Sequence, residues 1–330
     1  MRPTSRVLGI VAAAGLLAAA CTGNTPSPSP SAAPSSAAPA SPSAAASAPA
    51  SESPAASASA APSAATISVP TDQLLFPGKL VICIDIPYPP QEMFDEQGNP
   101  TGSDVEIAQE IAKRLGLTPE IQNSVFDTII AAVTGGKCDM ITSAQNITAD
   151  RVKQVDMIPY FQAGQSFVVA KGNPAGIKTE DDLCGKSIAA ETGTTEIDYI
   201  NGSGDYKGQG LSKACTDKGK QAITAKEFQK DSDALLALQS GQVDAYFADS
   251  PVAGYYTVQH PDQFELSGLE LGVALEGISV PKDKTGLRDA VTQALVSAID
   301  DGAYQSILAK YGLESGAITS DVAKQLNKTQ

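Results

Sequence analysis

The chain predicts an α/β protein of two similar lobes, each a largely parallel sheet covered by helices, with ligand-facing residues at the strand ends. Three observations carry this. Residues 79–144 alternate strand, helix, strand, helix, strand patterns, and residues 187–249 repeat the alternation, the signature of a parallel α/β sheet. The two stretches also share an echo, "IIAAVTGGKCDMITSA" against "LLALQSGQVDAYFADS". Each is an apolar helix, a small residue and Gly, two residues, Asp, then an apolar strand.

The elements follow in order. "KLVICIDI" (Lys79–Ile86) is a short β-rich apolar run of the kind buried on both faces. In "SDVEIAQEIAKRLGL", Ile107, Ala108, Ile111, Ala112 and Leu115 form one apolar stripe at helical spacing. Ser103 and Glu106 have the spacing of a capping box, and Gly116 is a C-terminal stop. "PEIQNS" reads as a strand, "FDTIIAAVTGG" as a helix and "CDMITSA" as a third strand. "QNITADRVKQ" then opens a helix, with Thr148 as N-cap and Arg151 near the third position. A cation there opposes the helix dipole by about 0.3–1 kcal/mol, so Arg151 requires an anionic partner. In the second lobe "KSIAAE" is a strand, "TEIDYI" starts a helix, "SDALLALQSG" is a helix and "VDAYFAD" a strand. "LRDAVTQALVSAIDDG" and "YQSILAKYGL" are closing helices.

Not all 330 residues belong to this fold. Residues 1–20 read as an export signal: Arg2 and Arg6 precede an apolar run from Val7 to Ala20, too short for a stable bilayer span. It runs into "LLAAAC", which resembles a lipoprotein lipobox, with Cys21 as the lipidated residue and Ala18 where Leu is usual. Residues 21–69 are then a lipid-anchored tether of Ser, Ala, Pro and Thr with Glu52 as its one charge. Such a composition cannot offset its ordering entropy, and about 45 residues of flexible coil reach roughly 40 Å.

The formal charge of −14 argues against nucleic acid as a partner. Removing Cys21 from the five cysteines leaves Cys83, Cys138, Cys184 and Cys215, which allow three pairings. No two are close in sequence and His260 is the single histidine, so neither a metal nor another cofactor is expected. There is no Ser/His/Asp or Cys/His arrangement and no phosphate-binding loop, so catalysis is not expected.

Parallel sheets present ligand sites at the C-terminal ends of their strands. Those ends carry Asp85 and Tyr88, then Ser143, Gln145, Asn146 and Arg151, then "ETGTTE", then Asp249. An Arg fork suits a carboxylate, helped by the amides of Thr194 and Thr195 at a helix start. Asp249, ending an apolar strand, suits an ammonium. The pair fits the α-carboxylate and α-ammonium of an amino acid, with Tyr88 and Phe126 packing on the side chain.

At this point the chain resembles the family 3 solute-binding proteins of ABC importers, the polar amino acid type. The matching runs are "DIPYPPQEMFDEQGNPTGSDVEIAQEIAKRLG", "FDTIIAAVTGGKCDMITSAQNITADR", "DLCGKSIAAETGTTEIDYI" and "LLALQSGQVDAYFADSPVAGYY", spanning roughly Leu80 to Tyr256. The resemblance implies a periplasmic-binding-protein type II fold, with lobe 1 at 70–167 and 275–330 and lobe 2 at 168–274. The two hinge strands would cross near Gly164–Val168 and Gly272–Ile278. It implies that Arg151 holds the α-carboxylate with Asn146 and the Gly193–Thr195 loop, and that Asp249 holds the α-ammonium. Asp85, Tyr88 and Phe126 would line the side-chain pocket. It also favours the pairings Cys83–Cys138 and Cys184–Cys215. The chain departs from the family at Gln91 and Met93, where Phe is usual, and at Ser103, so the side-chain pocket is its own.

Each site residue has a plainer alternative. Arg151 could pair with Asp150 or Asp156, Asp249 could be a helix cap, and Tyr88 could pack in a proline turn. Asp85 could be an internal acceptor, and Phe126 could belong to the core. The resemblance implies a monomeric receptor on the extracytoplasmic face of the bacterial membrane. It would capture a polar or cationic amino acid between closing lobes and pass it to a membrane permease. A fold-related dehydratase and a ligand-sensing module for another small solute are the alternatives.

Overall fold

The computed structural model describes residues 67–329. The signal, Cys21 and the tether as far as residue 66 lie outside them. Ile67 and Val69 pack against the first hydrophobic core, so the folded region begins slightly before residue 70. No helix among the described residues is long and apolar enough to cross a membrane.

Strand β1 (Lys79–Ile84) is buried from Leu80 onward. A loop with two cis X–Pro bonds leads into the small hairpin of β2 (Met93–Phe94) and β3 (Pro100–Thr101). Helix α1 (Ser103–Arg114), β4 (Thr118–Asn123), α2 (Ile129–Thr134) and β5 (Met140–Ile141) follow, then the short α3 (Ala149–Val152). The stripe on α1 is buried as its spacing requires. The capping box is not formed. The N-cap is Gly102 at φ 121°, without a side-chain cap, because the Pro90–Gln91 backbone docks on this end of the helix. A Cβ at Gly102 would sit 2.1 Å from the Gln91 carbonyl oxygen. Glu106 instead accepts from the Tyr311 hydroxyl at 2.6 Å.

The chain crosses on β6 (Val155–Ala170) and builds the second lobe from β7 (Ser187–Glu191), α4 (Thr195–Asn201), α5 (Leu211–Asp217), β8 (Thr224–Phe228), α6 (Asp231–Gln239), β9 (Ala245–Asp249) and α7 (Ser250–Gln259). It returns on β10 (Phe264–Pro281) and ends with α8 (Thr285–Asp300), α9 (Ala303–Tyr311) and α10 (Ser320–Ala323). Eight of the strands form one sheet in the order β4-β1-β5-β10-β6-β9-β7-β8. The outer strands pair in parallel, and β6 and β10 run antiparallel through the middle.

These two strands join the lobes. At 16 and 18 residues they are about three times the usual strand length. β9 pairs with β6 over Gln165–Val168, whereas β5 pairs with β10 at Ser279. Between those points the β6–β10 register shifts at Leu271/Ala274 and again at Glu276/Gly277. Such irregularities bend a strand and release part of its ladder. One core lies in lobe 1, around β1, α1, α2 and α8, and two lie on opposite sides of the lobe 2 strands.

Both expected disulfides are present, Cys83–Cys138 and Cys184–Cys215. The first ties β1 to the chain entering β5, and the second closes a loop 31 residues apart in sequence. By loop-closure entropy the second contributes about 3–4 kcal/mol through the unfolded state. The double replacement of Cys184 and Cys215 by serine is therefore expected to lower the unfolding free energy by about that amount. Urea denaturation followed by circular dichroism reads it.

Candidate functional site

Five chain segments bring functional side chains to one place. The end of β1 and its loop contribute Asp85, Tyr88 and Glu92. The turn before α2 contributes Phe126. The stretch after β5 contributes Ser143, Ala144, Asn146 and Arg151. Lobe 2 contributes Glu191 at the end of β7 with Thr194, Thr195 and Glu196 beyond it, and Asp249 at the end of β9. The strand C-termini point at one another across the cleft, as the parallel topology requires. The space they leave is about 10 Å³, on the order of one water, because side chains of the two lobes meet directly.

Those meetings are hydrogen bonds. The Tyr88 hydroxyl donates to Asp249 Oδ2 at 2.9 Å and accepts from the Asp249 backbone N–H at 3.1 Å. Asn146 Nδ2 donates to Thr195 Oγ1 at 2.8 Å, and Gln165 Nε2 reaches the same oxygen at 2.9 Å. Arg151 donates to the Gly193 carbonyl at 3.0 Å and to the Asn146 carbonyl at 2.9 Å. A ligand entering the cleft has to replace the cross-lobe bonds among these.

Arg151 is seated by its own helix, whose N-cap Thr148 accepts from the Arg151 backbone N–H at 3.1 Å. Its guanidinium carbon lies 5.4 Å from the centroid of Phe126, within cation–π range. The alternative partners are engaged elsewhere: Asp150 with Lys153, and Asp156 with Lys282 and Arg288. Among the described residues Arg151 makes no ion pair. Of the five donors on a guanidinium, only two are used by carbonyls. Burial holds its pKa below the ordinary arginine value, against the fields of Glu196, Asp198, Asp249 and Asp205. Glu196 and Asp249 line the cavity with it and are the nearest answer to what this cation faces.

The other positions sort by what their polar atoms do. Asp249 starts α7, but its side chain caps nothing; Oδ2 takes Tyr88 and Oδ1 has no partner. Asp85 is partly an internal acceptor, taking the Phe126 N–H at 2.7 Å. The Ser143 hydroxyl accepts from the Asp85 N–H at 2.9 Å and donates to Glu92 at 3.1 Å. Phe126 is half-buried and belongs to none of the three cores. Thr194 turns its hydroxyl to the Glu191 carbonyl and so does not cap α4.

Gln145 is not in the cavity. Its side-chain oxygen accepts from Ser279 at 2.9 Å and its carbonyl from the Gly277 N–H, which ties the loop to β10. Gln91 likewise lies below the site and donates to Glu276 at 2.7 Å. Glu276 and Asp104 both contact the Tyr160 hydroxyl. Asp104 and that hydroxyl receive the N–H of Ala144, held at φ 44°. This buried network forms the floor.

Sequence reasoning missed four lining residues: Ala144 and the carboxyl-bearing Glu92, Glu191 and Glu196. The signal that could have found Glu191 and Glu196 is their position flanking the "TGTT" loop at the end of a buried strand. Glu92 gave none, since it sits in a loop whose fold depends on α1. With the three glutamates the cavity holds five carboxyl groups and one cation. Burial pushes each carboxyl up from its usual range. It does so for Asp85, to about 6, and for Glu191, to about 10, helped by Asp231 and Asp85 nearby.

A buried, polar cavity carrying both acidic and basic groups, pinched between two lobes on long crossover strands, defines a clamp-type binding protein. The family comparison gives the particular kind. Residues 80–314 match the bacterial extracellular solute-binding proteins, family 3, and the chain belongs to that family. Among its curated relatives, the L-cystine-binding protein TcyJ of Escherichia coli K12 is 26% identical over 71% of this chain and 82% of its own. The arginine-binding protein ArgT of Corynebacterium glutamicum is 28% identical over 73% and 76%. Among solved structures, an ancestral arginine-binding protein bound to arginine is 35% identical at a TM-score of 0.63, covering 71% of this chain and 98% of that one. The ancestral amino acid-binding protein AncCDT-1, a precursor of cyclohexadienyl dehydratase, is 29% identical at a TM-score of 0.60, covering 71% and 95%.

Proposed function

We propose that this protein is the amino-acid-binding component of an ABC importer and that its ligand is a cationic amino acid. The observation that carries the charge preference is the set of buried acceptors without partners around the cavity: Glu92 Oε1, Asn146 Oδ1, Glu196 Oε1 and Asp249 Oδ1. Unpaired buried acceptors cost about 1–3 kcal/mol each, and a ligand rich in N–H donors repays them. Arg151, with the amides of Thr194 and Thr195, takes the α-carboxylate. Asp249 and Glu196 take the α-ammonium. Asp85, Tyr88, Phe126 and Glu92 surround the side chain, with Ser143 and Asn146 fixing the wall. Relatives named for arginine binding support the same class.

In this reading the lobes are 70–167 with 275–330 and 168–274, and they close by bending β6 and β10 where their register shifts. Cys21 anchors the chain to the extracytoplasmic face of the membrane, residues 22–66 tether it, and the closed form, a monomer, docks on the permease. Nucleic acid has no part in it, and the ligand leaves chemically unchanged. The kinship to a dehydratase precursor makes turnover the reading to test against, by recovering the amino acid intact from its complex.

A dye-based thermal shift of the oxidised protein against the standard amino acids, ornithine and polyamines tests the ligand class. Ligand at a thousand times its Kd stabilises by about 4.1 kcal/mol, which at about 2–4 °C per kcal/mol is a shift of roughly 8–16 °C. Arginine, lysine, ornithine or histidine is expected to give the largest shift. A larger shift with glutamate or aspartate would overturn the charge assignment.

A further inference from the structure

Asp85 directly follows β1 of lobe 1 and Glu191 ends β7 of lobe 2, so the two carboxyls stand at similar places on opposite lobes. Both line the same cavity, a space of about 10 Å³, from opposite sides of the cleft, and both are buried, at 8% and 5% exposure. Two ionised carboxylates buried on one small cavity disfavour each other, and a proton on one of them relieves both. The two come together only where the lobes meet, among Tyr88, Phe126 and Glu92, the residues proposed above to surround the ligand side chain.

We propose that Glu191 is the lobe 2 half of the side-chain subsite, and that a cationic side chain binds by displacing the proton this residue shares with Asp85. The Glu191 O–H bond breaks, the proton passes to solvent, and the ligand cation takes its place between two carboxylates. The exchange conserves charge, one proton for one cation. Specificity follows directly, since a neutral side chain of the same shape has nothing to offer the second carboxylate.

The groups facing the pair are consistent with a proton held there. Glu92 and Asp127 approach from lobe 1 and Asp231 from the start of α6, all raising its proton affinity, with Lys230 opposing on Asp85. Asp231 is itself bonded to the hydroxyls of Tyr246 and Tyr256, so it is not free to take the ligand. Burial leaves Asp85 at about 6 and Glu191 at about 10, which puts one proton on the pair between those values. The complex carries fewer protons than the free protein, so affinity for a cationic ligand falls as pH is lowered.

This inference rests on the cationic-ligand reading, and one experiment separates the two. Calorimetric titration of the full chain with L-arginine, and with its neutral isostere L-citrulline, is run between pH 6 and 8 in two buffers of different ionisation enthalpy. Arginine is expected to release a proton and to gain affinity with pH, approaching tenfold per unit for one proton. Citrulline should bind more weakly, without release. In Glu191→Gln, arginine should lose more than tenfold and its pH slope, so that its advantage over citrulline shrinks. Tight arginine binding with no proton released and a flat pH profile would overturn the exchange and leave the cationic reading standing. Failure of arginine, lysine and ornithine alike to bind would remove the cationic reading, and the exchange with it. The wild-type proton count decides the question even where the variant does not fold.

Discussion

Arg151→Ala is expected to remove amino-acid binding while sparing the fold. Truncating one partner of a buried, hydrogen-bonded charge pair costs about 2–5 kcal/mol, or roughly 30-fold to several-thousand-fold in Kd. The loss should be the same for every amino acid ligand, because the proposed role of Arg151 is to hold the α-carboxylate and not the side chain. The fold should survive because Arg151 sits in the four-residue α3, outside the three cores. Its two carbonyl contacts are with groups that water can reach once the lobes part. Calorimetry with the preferred ligand and a thermal melt without ligand check the two halves. Unchanged affinity would remove Arg151 from the carboxylate site.

Gly193→Ala is expected to hold the lobes apart. A Cβ at Gly193 would lie 2.9 Å from both Cα and Cβ of Asp127 on the opposite lobe, and backbone cannot yield as a side-chain tip can. Overpacking of this kind costs about 1–3 kcal/mol, so affinity should fall by about five- to 150-fold. Part of the damage is local, since Gly193 has φ 84° and a left-handed alanine costs about 1–2 kcal/mol wherever it stands. Gly176→Ala supplies the control. That residue also has positive φ, 71°, but meets nothing within 4 Å. Both variants should lose stability, and only Gly193→Ala should lose binding. Equal affinities in the two variants would show that the lobes do not need this close approach.

The elements legible in the chain are those whose physics is local. The apolar stripe on α1, the buried run of β1 and the Thr148 cap all depend on neighbours within a turn or two. The Ser103–Glu106 pair has the right spacing for a cap, yet α1 starts on Gly102 because the Pro90–Gln91 backbone arrives there from elsewhere. β6 carries Pro159 and Gly164, which blur a strand pattern. It persists for 16 residues because β10 pairs along most of its length.

The site divides in the same way. Nine of the ten sequence-selected ligand residues line the one cavity, since strand C-termini can be located from alternation alone. Gln145 carried the same local signal and faces Ser279 instead. Residue type, order and spacing were thus enough for the two-lobed fold, the cysteine partners and the placing of Arg151 and Asp249 on one cavity, because each follows from short-range patterning or from the family's ordered motifs. The direction of Gln145, the inward turn of Glu92, and the meeting of Asp85 with Glu191 were settled only when the lobes packed. Contacts between residues roughly a hundred positions apart depend on which faces the crossover strands bring together, and no local pattern encodes that distance.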